Sequence, residues 1–187
     1  NKVDTVIYSD EEKVYLWNTA NFLKIKPVGQ DAAGVTAFMA RRDELGIGKR
    51  DMLAKVVGID ETDFEIVIVV IGVGPVSQES CVVIEDIAYF LGEDGVYTWD
   101  ASGVKPISKE RVHAWFTSDA YFNRAQCENA TARYNPRLHA YELCLAAAGS
   151  STLDRWVTYS IREGRWFGPH KTGAFTIAYA ANLEDAN

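Results

Sequence analysis

The sequence predicts an all-β fold of β-propeller-like type, made of short antiparallel four-stranded blades, and three observations predict it. Apolar and polar residues alternate with the period of a strand along most of the chain. Breaks rich in Gly, Pro, Asn and Asp recur at short intervals. In the C-terminal third, "ATARYN", "LHAYELCLAA", "DRWVTYSI" and "GRWFG" follow one another, separated by Asn135-Pro136, Gly149-Ser150-Ser151 and Arg162-Glu163-Gly164. Four antiparallel strands with tight turns make one blade. At roughly 40 to 45 residues per blade, residues 1–187 hold about three to four blades, as part of a longer chain or a larger assembly. A β-sandwich is the alternative that short, regularly broken strands also allow.

From the start of the chain, "TVIYSDEEKVYLWNTANFLKIKP" offers strands at Thr5–Ser9, Val14–Asn18 and Phe22–Lys26, with "DEE" and "NTAN" as polar turns. Ala37–Leu45 has good helical propensity, yet its surroundings favour strands. "FEIVIVVI" is dominated by β-branched residues and reads as the most buried strand. "CVVIEDIAYFLG" is again β. In "IAYFLGEDGVYTWDASGVKPIS", Glu93-Asp94-Gly95 can turn one hairpin and Ala101-Ser102-Gly103 the next, giving a three-strand meander. The one helix is "SKERVHAWF", with Ser108 as its cap and Val112, Trp115 and Phe116 on one face.

Composition narrows the function classes. With 48% hydrophobic and 24% charged residues the chain is globular rather than disordered. A net charge of -7 without any Lys/Arg run disfavours a protein that grips nucleic acid through phosphates. Cys81, Cys127 and Cys144 are odd in number and lack CxxC spacing, which argues for buried thiols rather than disulfides or a zinc site. The longest apolar run, Ile66–Val76, is interrupted by Gly72, Gly74 and Pro75 and is too short to cross a bilayer. No secretory signal is visible, and a chain starting at Asn1 rather than Met reads as a piece of a longer product.

Motif-like stretches each carry a structural explanation. "VIVVIGVGPVSQES" starts like a dinucleotide-binding loop, but Ser77 stands where the third glycine belongs and β structure follows it. "GIGKRD" lacks the earlier glycine and the Ser or Thr of a phosphate loop. Asp60, Glu61 and Asp63 lack calcium-loop spacing and read as a solvated turn. "GEDGVYTW" nearly matches the Asp-box of sialidase-like propellers, but Asp94 and Gly95 are adjacent, and the box reports fold rather than catalysis. His113, His139 and His170 stand in unrelated segments. The five tryptophans, Trp17, Trp99, Trp115, Trp156 and Trp166, read as packing between blades, with sugar stacking as the minority reading. No residue is nominated as catalytic, cofactor-binding or metal-ligating.

Three segments taken together, "KRDMLAKVVG", "IGVGPVSQESCVVIEDIAYFLGEDGVYTWDASGVKPIS" and "ARYNPRLHAYELCL" with "YSIREGRW", resemble the repeat unit of β-propellers in bacteriophage tail and neck proteins, over roughly residues 34 to 170. The resemblance implies a non-enzymatic virion protein without cofactors: a tail nozzle or hub subunit below the portal, similar to packaged-DNA stabilisation proteins. It implies a ring-shaped homo-oligomer among other tail and neck proteins, without specific nucleic-acid binding, forming a passive DNA channel and assembled in the host cytoplasm. The rivals are a glycan-binding or glycan-cleaving propeller and a cellular protein-interaction propeller.

Overall fold

Short strands separated by turns of two to seven residues within each four-stranded sheet pair with the next strand along the chain, as short connections favour, so the sequence spacing already dictates meanders. The computed structural model describes residues 5–9, 15, 17, 20–25, 34–59 and 63–171. A two-stranded hairpin, β1 (Thr5–Ile7) and β2 (Phe22–Lys24), comes first. Three four-stranded antiparallel sheets follow. Blade 1 comprises β3 (Ala37–Arg41), β4 (Glu44–Lys49), β5 (Met52–Val57) and β6 (Glu65–Ile71). Blade 2 comprises β7 (Val82–Ile84), β8 (Ile87–Leu91), β9 (Val96–Asp100) and β10 (Gly103–Pro106). Blade 3 comprises β11 (Thr131–Asn135), β12 (Ala140–Ala146), β13 (Leu153–Ser160) and β14 (Arg165–Lys171). Each blade is a simple up-and-down meander in chain order.

The blades stack in a propeller-like way. The first strands β3, β7 and β11 are neighbours, and the last strands β6 and β10 are neighbours. Trp166 of β14 donates its indole N–H to the Ile107 carbonyl just after β10, at 2.9 Å, so the third last strand joins that side. First beside first and last beside last is the order of propeller blades around an axis, and the sheets among the described residues form an open arc rather than a closed sheet.

Two cores fill the gaps between blades. Between blades 1 and 2 lie Met39, Leu53, Ala88, Phe90, Tyr97 and Trp99. Between blades 2 and 3 lie Tyr89, Leu91, Tyr141, Leu143, Leu145 and Val157, with Phe116 and Phe122 from the connecting segment. The β1–β2 hairpin meets blade 1 over Ile25, Ile47 and Met52.

Several expectations need correction. "FEIVIVVI" forms β6, which is half exposed rather than the most buried strand, because it is the outermost strand of its blade. β-branched composition reports extended backbone, and position in the sheet decides burial; the most buried strand is β12, with all seven residues buried. The predicted helix shrinks to α1 (His113–Thr117). Ser108 does not cap it, because its hydroxyl accepts the Val96 N–H at 2.9 Å, inside blade 2. Val112 and Phe116 are buried and Trp115 packs beside them, so the apolar face survives. "CVVIEDIAYFLG" is two strands, turned at Glu85-Asp86. The strand expected at Val14–Asn18 lies outside the described residues except Tyr15 and Trp17, and neither of these is in a strand.

Candidate functional site

The glycines that mimic nucleotide-binding loops are packing devices. A Cβ on Gly46 would lie 2.4 Å from the Trp99 ring, and one on Gly48 would lie 2.2 Å from the Pro75 ring. "GIG" on β4 is therefore a slot that admits blade 2 against blade 1. A Cβ on Gly74 would lie 1.7 Å from the Lys49 carbonyl oxygen, so the "GVG" segment crosses the β4–β5 turn at backbone distance. Close backbone approach is a standard use of glycine, and here the approaching group is protein.

The "GEDG" turn is likewise internal. Gly95 sits at φ +157, where a side chain would strike the Ser108 hydroxyl. Asp94 accepts a hydrogen bond from the Tyr97 hydroxyl and lies 3.6 Å from the Lys109 ammonium. Desolvation first, and then the Asp94 contact, push the Tyr97 phenol well above its ordinary range. Asp63 closes its own turn by accepting the Ile59 N–H at 2.8 Å, while Asp60 and Glu61 lie outside the described residues.

The densest polar arrangement sits where the turns between first and second strands meet. Arg41, at the end of β3, has a nearly buried side chain whose guanidinium lies 4.7 Å from the Trp99 ring centre. It donates to the Glu44 carboxylate at 3.0 Å, to the Asp86 carboxylate at 3.3 Å and to the Asp86 carbonyl at 2.8 Å. Asp86 also accepts the Arg42 N–H at 2.9 Å. That backbone hydrogen bond is the main reason its carboxyl lies below the usual value, with the Arg41 guanidinium adding to it. Lys55 pairs with the other oxygen of Glu44. On the far side of the turn, Glu85 approaches His139 of blade 3 at 3.8 Å, and the other ring nitrogen of His139 meets the Tyr134 hydroxyl at 2.8 Å. A shallow depression lined by Arg41, Glu85, Asp86, Asp100 and Ser102 opens beside this row. Asp100 is itself engaged by the Ser102 hydroxyl, which with the Ser102 N–H and Lys105 lowers its pKa.

Chemically, this arrangement holds shape. Asp86 is tied to cationic and N–H donors, which favours its charged form and suits ion pairing better than proton transfer, and Glu44 pairs with Arg41 and Lys55. Burial pushes the Cys81 thiol up to about 12 and Cys144 up to about 11, and raises Cys127. Thiols held this way are poor nucleophiles. His139 belongs to the turn row, His170 packs at 5.4 Å on Trp156, and His113 starts α1, so the three remain apart. Among the described residues no group of three or more His, Cys, Asp or Glu side chains is placed to hold a metal ion, and no helix is long and apolar enough to cross a membrane.

Sequence reasoning missed Arg41, Asp86 and His139 as a set. The available signal was "VVIEDIAYFL", two apolar strands around two acidic residues, which is the length of a two-residue hairpin. Its lack of glycine hid it. No family model matches the chain, and no curated protein matches it.

Proposed function

We propose that this chain is a structural, non-enzymatic component of a bacteriophage tail, contributing propeller blades to a ring at the nozzle or hub. The observation that carries the reading is the blade packing: the residues with motif character, Gly46, Gly48, Gly74, Asp94 and Gly95, are all engaged in contacts within and between blades. The phage assignment itself rests on the resemblance of "GVYTWDASGVKPIS" and its flanking segments to tail and neck propellers. Arrays of blades suit ring assembly with other tail proteins, and a net charge of -7 suits a passive channel that lets DNA slide.

Immunogold electron microscopy on particles from the source culture tests this reading. Label confined to one level of the tail supports it. Intact particles without label, together with soluble chain, overturn it. The glycan reading draws on the aromatic pair Trp156 and His170 and the exposed Phe167 beside it on β14, and a glycan array with the purified chain separates the two.

A further inference from the structure

Glu85, Asp86 and His139 are the three non-glycine residues with left-handed backbone among those described, at φ 49, 67 and 46. All three fall on one row of turns. The meander order explains why this row differs from the other end of the blades. The turns at 42–43, 85–86 and 136–139 share one end, whereas the connecting segments 72–81 and 107–130 run along the opposite end. The covalent links between blades, and the Arg50–Glu128 ion pair at 2.9 Å, therefore sit opposite the row. At the row itself, among the described residues, the bonds that join one blade's turn to the next each involve a side chain.

A two-residue hairpin of this hand prefers Asn-Gly or Asp-Gly, because both central residues need positive φ. Glu-Asp fits poorly, and non-glycine residues in left-handed conformation carry strain. The strained pair sends its carboxylates to opposite sides: Asp86 bonds Arg41 and the Arg42 N–H in blade 1, while the exposed Glu85 lies 3.8 Å from the His139 ring of blade 3, beyond hydrogen-bond distance. We propose that the Glu85–Asp86 turn is a latch, which through Asp86 fastens blade 2 to blade 1 at the end opposite their covalent hinge and sets the angle between them. Releasing it lets the arc splay at that end while the linkers hold the other, a freedom that, on the reading proposed above, would help a subunit fit a ring.

The test uses the full chain with Glu85-Asp86 replaced by Asn-Gly (E85N/D86G), which relieves the backbone strain and removes the Asp86 carboxylate that grips blade 1. The latch predicts a melting midpoint lower by a few degrees, and a longer and broader distance between spin labels placed in a cysteine-free background at Asp43 and Leu138, exposed positions on the row's turns in blades 1 and 3. The Val96 amide, held by Ser108 at the other end, keeps its hydrogen-exchange protection. An unchanged Asp43–Leu138 distance overturns the proposal, since the pair would then be only a poor turn. The single variant Asp86→Asn, which can still accept the Arg42 N–H, guards against misfolding: under the proposal it loses part of the Arg42 protection, and no loss counts against it.

Discussion

The two interfaces between blades solve one packing problem with different chemistry. Between blades 2 and 3 the contact is aromatic and aliphatic: Tyr89 stacks on Tyr141 at 5.6 Å, Phe116 meets Trp166 edge-on at 5.9 Å, and Leu143 and Val157 are fully buried. Between blades 1 and 2 a glycine slot takes the Trp99 ring, and the nearly buried Arg41 lies against that ring while pairing with carboxylates from both blades. Apolar area stabilises without direction. A glycine slot and a charged pair stabilise one alignment and penalise others. Both interfaces bury apolar side chains, and the one between blades 1 and 2 adds a fit that fixes its alignment.

Truncating Leu143 to Ala should give the largest effect, a loss of about 3 to 4 kcal/mol, because its buried site on β12 is walled by neighbouring strands that cannot collapse into the gap. Denaturant unfolding measures it, and a loss below about 1 kcal/mol would mean that area does not dominate at this interface. Gly46→Ala tests the other side. Its methyl group would meet the Trp99 ring at 2.4 Å, so about 2 to 3 kcal/mol should be lost, with the near-ultraviolet circular dichroism of Trp99 altered. Unchanged Trp99 signals would sink the slot.

Tyr141→Phe is a smaller perturbation. It keeps the ring stack and removes the hydroxyl that donates to the Ser80 carbonyl at 2.8 Å, leaving a buried acceptor short of a partner at a cost of about 1 kcal/mol.

The smallest expected effect is acid sensitivity at the blade 1–2 junction. The Asp86 carboxyl is held below its ordinary 3.8, first by the Arg42 N–H and then by Arg41. A depressed folded value means that its contribution is complete above the unfolded value and is lost as pH falls through the folded one. The charged groups facing it are Arg41, Arg42 and Glu44 in blade 1, with Lys55 behind Glu44, its own neighbour Glu85, His139 beyond that, and Asp100 across the depression. Arg42 amide protection should therefore hold down to about pH 4 and fall below it, a fall that Asp86→Asn abolishes. A decline already complete at neutral pH would assign the effect to another group.

Much of the fold is legible in the sequence because its punctuation is explicit. Gly95, Gly103, Gly149 and Gly164 all adopt the positive φ that their turns demand, and the four strands read from "ATARYN" to "GRWFG" pair in that order. The misreadings share one cause, that local chemistry was outvoted by tertiary position. Ser108 looks like a helix cap but is drawn into blade 2 by the Val96 N–H. "FEIVIVVI" looks like a core but stands at a sheet edge. The turn at Glu85-Asp86 goes unread because both residues adopt positive φ without a glycine to announce it. Long-range sets such as Arg41, Asp86 and His139 leave no spacing to read, since three different turns supply them.

The most direct test of the account is a pair of distances between blades 1 and 3, measured by pulsed electron paramagnetic resonance in a cysteine-free background. Labels at Ala40 and Arg133 report first strand to first strand, and labels at Ile68 and Phe167 report last strand to last strand. A propeller-like arc predicts that the first-strand distance is clearly the shorter, because blades fan out from an axis. Equal distances would mean parallel stacked sheets, and would contradict the arrangement on which the slot, the latch and the proposed ring all depend.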